Sequence, residues 1–288
     1  MPRFGVHTFV WTADWDRAGA ETALSQAAAA GVDIVEVALL RPAEVDVAHS
    51  RALAARHGIA LTCSLGLPPE ASLPDHPAAA ESFLRQALAV TAALGAKSLS
   101  GVTYGTIGRL TGKPVTEQEL DIIATVLRSV ARHAAGLGLT LGLEPCNRYE
   151  THLLNTGRQA VSLIERIGEP NLFVHLDTYH MNIEEKGFEA AILDCGRHLR
   201  YIHLSESDRG TPGTGNVDWD SVFSCLARIG FDGDMVLESF VHLHPDIARA
   251  LCVWRPVAAG GAAEVVGTGL PFLRDKARAH GLARTRNP

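Results

Sequence analysis

Glu144, Asp177, His203 and Glu238 are three carboxylates and one imidazole, each at the C-terminal end of a short apolar run that reads as a buried strand. The intervals between them, about 33, 26 and 35 residues, each approximate one strand, one helix and the loops that join them. In a barrel of parallel strands such ends converge on one mouth, so residues far apart in sequence become neighbours around a point. Three oxygen donors and one nitrogen suit a hard or borderline divalent cation (Mn²⁺, Mg²⁺ or Co²⁺) better than a structural zinc. Taken singly, a strand-end Glu or Asp reads as a cap or salt-bridge partner, and His203 as a hydrogen-bonded core histidine. Their joint placement points to a metal enzyme.

Three further polar groups follow these residues closely: Glu150 six after Glu144, His180 three after Asp177 and Arg209 six after His203. A loop Arg or His by itself is usually a solvated charge. Together the three offer donors and acceptors suited to several hydroxyls. The Gly-rich stretch Gly210 to Asn216 invites a phosphate-binding reading. It lacks the GxxxxGK[ST] pattern and precedes a helix that Asp218 already caps with a negative charge, so a tight, Gly-enabled turn is the better account.

The elements that must position these residues alternate along the whole chain. Strand candidates are Phe4 to His7, Ile34 to Val37, Ile59 to Cys63, Ser98 to Val102, Thr140 to Glu144, Leu172 to Asp177, Tyr201 to Leu204 and Met235 to Glu238. Eight strands in 288 residues leave about 36 per unit, which favours a closed (β/α)8 TIM barrel over an open sheet. Thr116 with Glu119, and Thr156 with Gln159, read as capping boxes; Gly136 and Gly138, then Gly168 with Pro170, read as the corresponding stops. Asp218 opens a further helix. The loops Leu67 to Pro77 and Thr103 to Val115 fall at the same mouth as the metal candidates and are expected to wall it or cover it. No linker divides the chain, so residues 1–288 are expected to form a single domain. Within it, 257–288 form a C-terminal extension: a mobile Gly/Ala-rich connection over Val257 to Thr268, then a helix over Pro271 to His280 that offers a subunit contact.

Composition narrows the function. A hydrophobic content of 47% allows a large core, and 32 acidic against 26 basic residues, for a formal charge of -6, argue against a nucleic-acid partner. Cys63, Cys146, Cys195, Cys225 and Cys252 form no CxxC pair and are odd in number, as expected of reduced cytoplasmic thiols. The start lacks a secretory pattern and no apolar stretch approaches membrane-spanning length, so no membrane partner is expected.

The segments Leu143-Glu144-Pro145-Cys146-Asn147-Arg148-Tyr149-Glu150, Leu176-Asp177-Thr178-Tyr179-His180-Met181-Asn182-Ile183-Glu184-Glu185 and His203-Leu204-Ser205-Glu206-Ser207-Asp208-Arg209 resemble the ketose 3-epimerases. These are the D-tagatose, D-allulose and L-ribulose 3-epimerases of the xylose-isomerase-like barrels, and the resemblance runs from Gly5 to Arg255. It implies that Glu144, Asp177, His203 and Glu238 hold one divalent ion, Mn²⁺ ahead of Mg²⁺ or Co²⁺. It further implies that Glu144 and Glu238 are the acid/base pair acting through a cis-enediolate. Glu150, His180 and Arg209 then hold the first oxygens of a free ketose, Trp15 forms a pocket wall, and the chain assembles as a homo-dimer or tetramer. His7 and Ser64 stand where family members often carry other residues, an aromatic or a Cys among them, and the loop Tyr104 to Leu110 is not aromatic-rich; these differences bear on the preferred sugar and leave the activity class intact.

The competing readings are an aldose–ketose isomerase or an inositol-type dehydratase on the same barrel, a metal-dependent phosphodiesterase, and a noncatalytic sugar-binding barrel. The phosphodiesterase needs more than one metal and a basic surface, which the charge balance argues against. The noncatalytic barrel is weakened by the presence of all four ligand positions and both bases.

Overall fold

The computed structural model describes residues 2–282. Eight parallel strands close into a barrel in sequence order: β1 (Arg3–His7), β2 (Ile34–Ala38), β3 (Ala60–Gly66), β4 (Ser98–Val102), β5 (Thr140–Leu143), β6 (Leu172–Asp177), β7 (Leu199–Leu204) and β8 (Asp234–Leu237). β8 pairs back to β1, with Phe4 beside Met235 and Val6 beside Leu237, so the sheet has no free edge. β3 runs three residues beyond its expected end because Leu65 and Gly66 keep pairing with Gly101 and Val102.

The strand period of two divides the molecule into two interiors. Outward-facing Val35, Val37, Val174, Leu176, Met235 and Leu237 join the main apolar core under the helices. Fully buried leucines such as Leu24, Leu84, Leu88 and Leu127 fill that layer from the helix side, each contributing about 1.5–3 kcal/mol relative to exposure. Inside the barrel, Phe173, Tyr201 and Val236 form a small separate cluster. A Cβ on Gly142 would stand 2.6 Å from the Phe173 ring and from Ser100 Cβ, so β5 accepts no side chain there. Above this plug the interior turns polar, with Glu36, His175 and His203 all buried.

The surrounding helices are α1 (Arg17–Ala29), α2 (Val47–His57), α3 (Pro77–Leu94), α4 (Glu117–Gly136), α5 (Gly157–Ile167), α6 (Thr178–Glu184), α7 (Phe188–Cys195) and α8 (Trp219–Arg228). Both expected capping boxes are formed. Thr116 Oγ1 accepts from the Glu119 N–H at 3.2 Å while Glu119 Oε2 accepts from the Thr116 N–H at 2.8 Å, and Thr156 and Gln159 repeat the exchange on α5. Such a cap stabilises a helix by about 1 kcal/mol. Asp218 caps α8 through the Ser221 N–H at 3.0 Å.

After β8 come α9 (Pro245–Ala250), α10 (Gly261–Glu264), a π-helical turn over Val265–Gly269 and α11 (Leu270–Ala279). From Gly261 onward the expected mobile connection is therefore helical. Val265, Leu270, Leu273 and Ala277 make one apolar face buried in the main core, and that burial outweighs the poor helix propensity of glycine. The π turn lies just ahead of Pro271, whose missing N–H could not have continued an α-helical ladder. Lys276 Nζ meets Asp220 on α8 at 2.7 Å and Arg274 reaches the Ala30 carbonyl at the end of α1 at 3.2 Å, so the C-terminal helix fills the gap between α8 and α1. The last six residues of the expected extension lie outside the described residues. Among the described residues all five cysteines are free, and no helix is long and apolar enough to cross a membrane.

Candidate metal centre and substrate cavity

Glu144 and Glu238 stand one residue past β5 and β8, Asp177 ends β6 and His203 is the penultimate residue of β7. The barrel brings all four together: His203 Nδ1 lies 3.3 Å from Glu238 Oε1 and 3.5 Å from Glu144 Oε1, and Asp177, His203 and Glu238 present donor atoms within 4.8 Å of one another. All four are buried. His203 Nε2 is 2.7 Å from Glu36 Oε2, the oxygen that also accepts from the Tyr201 hydroxyl at 2.5 Å. That contact uses Nε2 as the donor and leaves Nδ1 facing the carboxylates; Nδ1 is buried and has no hydrogen-bond partner.

Charge at this point is unbalanced. Glu36, Glu144, Glu150, Asp177 and Glu238 are buried together, and the guanidinium that answers them is Arg209. Burial raises the Glu144 carboxyl against the pull of His203, and raises Asp177 to about 6 against the pull of Arg209. For His203 burial opposes charge, yet Glu238, Glu36 and Glu144 raise its basicity well above the ordinary imidazole value. An imidazole nitrogen without a partner, aimed at carboxylates that repel one another, fits a divalent cation.

Arg209 enters this cluster from the loop after β7. Its Nη1 donates to Asp177 Oδ2 at 2.6 Å and also contacts Glu238 Oε2, while the guanidinium carbon sits 3.9 Å from the Tyr179 ring centre and 4.3 Å from that of Phe240. The backbone at Arg209 is left-handed (φ 65°), a conformation that a non-glycine residue holds only when its surroundings fix it. Here the Arg209 N–H donates to the Glu206 carbonyl at 2.9 Å, and its own carbonyl accepts from the Phe240 N–H at 3.2 Å and from Ser239 Oγ at 2.8 Å.

His180 and Glu150 share one organiser. His180 Nδ1 accepts from the Asn147 N–H at 3.0 Å, and Asn147 Nδ2 donates to Glu150 Oε1 at 2.8 Å. With Nδ1 accepting, the His180 proton is on Nε2, whose neighbours are Arg209 Nη2 at 3.2 Å, Asp177 Oδ2 at 3.7 Å, and Glu144 Oε1 and Glu150 Oε2 at 4.0 Å. Burial and the neighbouring Arg209 keep this imidazole neutral, and burial pushes Glu150 up to about 7.

A cavity of about 550 Å³ opens over the cluster. Its inner end is polar, with Glu144, Glu150, His180, His203, Arg209 and Glu238; its walls include Phe9, Leu65, Ile107, Phe240, Ile247 and Leu251. The loop after β3 contributes Leu67 to Glu70 and the loop after β4 contributes Thr106 and Ile107, as expected of them, while Asp75 and Arg109 clasp the two loops together further out. His7 and Ser64 also line the cavity.

Trp15 does not. Its indole turns away from the mouth and donates to Ser50 Oγ on α2 at 3.1 Å, because the 3-10 turn Thr8–Val10 carries the chain out of the barrel before Trp15 is reached. The aromatic walls are Phe9 and Phe240 instead. Glu36, His175, Asn147 and the wall built by His244 to Leu251 are not among the site residues expected from the sequence. A signal existed for two of these: Glu36 and His175 interrupt the apolar strands IVEVA and LFVHLD, where a buried polar group needs a reason.

The loop Gly210 to Asn216 wraps a carboxylate from the chain itself. Glu206, fully buried, accepts from the N–H groups of Ser207 at 2.8 Å, Gly213 at 2.8 Å and Val217 at 3.1 Å, and from Trp219 Nε1 at 3.1 Å. Gly213 has φ 92°, and a Cβ on Gly215 would come within 2.6 Å of Glu206 Oε1, so the turn depends on both glycines.

Residues 24–273 match the xylose isomerase-like TIM barrel family. Over 280 residues, covering 95% of this chain and 96% of the other, the sequence is 41% identical to a ketose 3-epimerase of Arthrobacter globiformis. This chain belongs to the ketose 3-epimerases. As a ketose 3-epimerase family member it is an enzyme of the isomerase class. It is also 38% identical to an L-ribulose 3-epimerase of Methylomonas sp. over 95% of the chain and 97% of the relative. A crystal structure of D-allulose 3-epimerase from Methylomonas sp. in complex with D-allulose superposes with a TM-score of 0.91 at 37% identity, covering 96% of this chain and 97% of that one. In this epimerase-family chain the buried Glu/His cluster is the place for a divalent metal.

Proposed function

We propose that the chain epimerises a free 2-ketose at C3, using one divalent ion, Mn²⁺ ahead of Mg²⁺ or Co²⁺, held by Glu144, Asp177, His203 and Glu238. The observation that carries this reading is the pair Glu144 and Glu238, two carboxylates from β5 and β8 that meet across His203 Nδ1 at 3.5 and 3.3 Å at the inner end of the cavity. When bound, the ion supplies Lewis-acid polarisation of the ketose carbonyl and stabilises the oxyanion that develops there, an effect of several kcal/mol. The chain's own residues move the proton. One of Glu144 and Glu238 removes the C3 proton and the other returns one to the opposite face, which inverts C3, and the roles exchange for the reverse reaction.

Ser205 Oγ donates to Glu238 Oε2 at 3.1 Å and so helps fix the angle of that carboxylate. His180 Nε2–H and the Arg209 guanidinium serve as donors to the ketose oxygens, and Glu150 as an acceptor for a hydroxyl. Phe9, Phe240 and Ile107 exclude water from the far end of the sugar. The polymer-binding alternative has nothing to grip: beside Arg41 and Arg209 the cavity carries Glu70, Glu144, Glu150, Glu238 and Asp246. The chain is proposed to act as a homo-oligomer in the cytoplasm. The test is a panel of free ketoses with added Mn²⁺, resolved by chromatography. A C3 epimer pair from at least one ketose is expected; an aldose as sole product would replace this reading with an aldose–ketose isomerase.

A further inference from the structure

Glu36 takes no part in the chemistry proposed above, yet it lies at the centre of the barrel's polar interior. It is fully buried on β2, four strands from Asp177 around the sheet, and one of its oxygens, Oε2, accepts from both Tyr201 Oη at 2.5 Å and His203 Nε2 at 2.7 Å. On its other side, His7 Nε2 stands 3.7 Å from Oε1. His7 Nδ1 accepts from the Phe9 N–H at 3.2 Å, so the His7 proton also points at Glu36. Isolated burial of a carboxylate costs several kcal/mol, and the two hydrogen bonds to Oε2 offset it, while Oε1 has the His7 N–H nearby without a hydrogen bond.

An imidazole can offer a lone pair at only one nitrogen when the other carries the proton. With Nε2–H engaged by Glu36, the nitrogen that can give up its proton and offer a lone pair to an ion is Nδ1, which faces Glu144 and Glu238 and has no hydrogen-bond partner. We propose that Glu36 is a positioning residue that fixes the tautomer and ring orientation of His203, presenting Nδ1 to the metal. The inference rests on the metal centre proposed above and adds to it a residue that touches neither ion nor sugar. Tyr201, bonded to the same Glu36 oxygen and packed edge-on against His175, holds the carboxylate in place.

The bland alternative is an interior polar network that only supports the fold, and metal affinity separates the two. Metal-stripped wild type, Glu36→Met and Glu36→Gln are titrated with Mn²⁺ by calorimetry, with the metal-free melting temperature as the folding check. Methionine keeps the length of the side chain and offers almost no acceptor, so its affinity should fall about 10–100-fold. Glutamine keeps an acceptor oxygen for Nε2–H without the charge and should bind within about threefold of wild type. Wild-type affinity in the methionine variant overturns the proposal. So does equal weakening in both variants, which would make charge the operative property. If Glu36→Met lacks a melting transition, Glu36→Leu is read in the same way. Wild type that binds no Mn²⁺ overturns the metal-centre reading itself, a result distinguishable because it appears before any substitution.

Discussion

Arg209 Nη1 lies 2.6 Å from Asp177 Oδ2, so a guanidinium proposed to hold substrate is bonded to one of the residues proposed to hold the ion. The same nitrogen contacts Glu238, and stacking between Tyr179 and Phe240 leaves the group little freedom to retreat. Substrate orientation and ion retention are thus joined through one side chain.

Arg209→Ala is therefore expected to lower kcat/KM by about 100-fold, equivalent to roughly 2.7 kcal/mol of transition-state stabilisation. Mn²⁺ should bind at least as tightly as in wild type, because a neighbouring positive charge has been removed. Steady-state kinetics on any ketose that turns over, paired with calorimetric metal titration, checks both halves. Weaker metal binding in the variant would show that Arg209 supports the site more than it competes with the ion.

Chelation should abolish activity, and Mn²⁺ or Co²⁺ should restore it, because the cluster gathers repelling carboxylates around an imidazole nitrogen without a partner. The ion should also raise the melting temperature. At 100 times its dissociation constant, a ligand of the native state alone contributes about 2.7 kcal/mol. Full turnover in a rigorously metal-free preparation contradicts the assignment.

Much of this centre was legible in the sequence because each proposed ligand ends an apolar run, and strand ends of a parallel barrel have only one place to go. Glu144, Asp177, His203 and Glu238 needed no knowledge of side-chain direction. Glu150, His180 and Arg209 were found because they follow closely in loops that rim the same mouth. Trp15 shows the limit: proximity in sequence to β1 says nothing of which way a 3-10 turn throws the chain. The wall from His244 to Leu251 was illegible for another reason, since a six-residue helix carries too little periodicity to announce itself. Glu36 was hidden by its neighbours, Val35 and Val37, which fit the strand so well that the carboxylate between them drew no notice.

Glu144→Gln and Glu238→Gln should each lower epimerisation by at least about 1,000-fold, since each keeps its shape and loses the proton-accepting carboxylate. Metal content must be measured with activity, as both side chains are also proposed ligands of the ion. In D₂O the wild type should place deuterium at C3 of the product ketose and leave C1 unlabelled. A variant with metal and near wild-type rate, or label at C1 in place of C3, removes the two-carboxylate mechanism.

Glu206→Ala should lower stability by about 3 kcal/mol, because it leaves the Val217 N–H and the Trp219 indole buried without an acceptor and takes the partner from the half-buried Ser207 N–H and the exposed Gly213 N–H. Burial works to raise the Glu206 carboxyl, but the donors around it hold it below the usual carboxylate value. A depressed carboxyl stabilises the fold above its unfolded value of about 4.3, and that contribution is lost as pH falls through the folded value. Wild type should therefore lose more stability than Glu206→Gln does as pH falls from about 5 to about 2, as read from urea midpoints. Parallel acid profiles would mean that Glu206 does not drive the loss.

The division of the molecule into an apolar layer outside the strands and a polar chamber inside them separates two kinds of mutational risk. Leu24, Leu84, Leu88 and Leu127 belong to the outer layer, while Glu36, Glu144, His175, Asp177, His203 and Glu238 lie apart from it. Changes at Ser64, which lines the cavity from the chamber wall, can therefore be explored with little erosion of the packing that keeps the chain folded, whereas His7 also stands beside the buried Glu36 carboxylate. An enzyme so arranged can drift from one ketose to another in few steps, because altering what it accepts does not bring it closer to the threshold at which it unfolds.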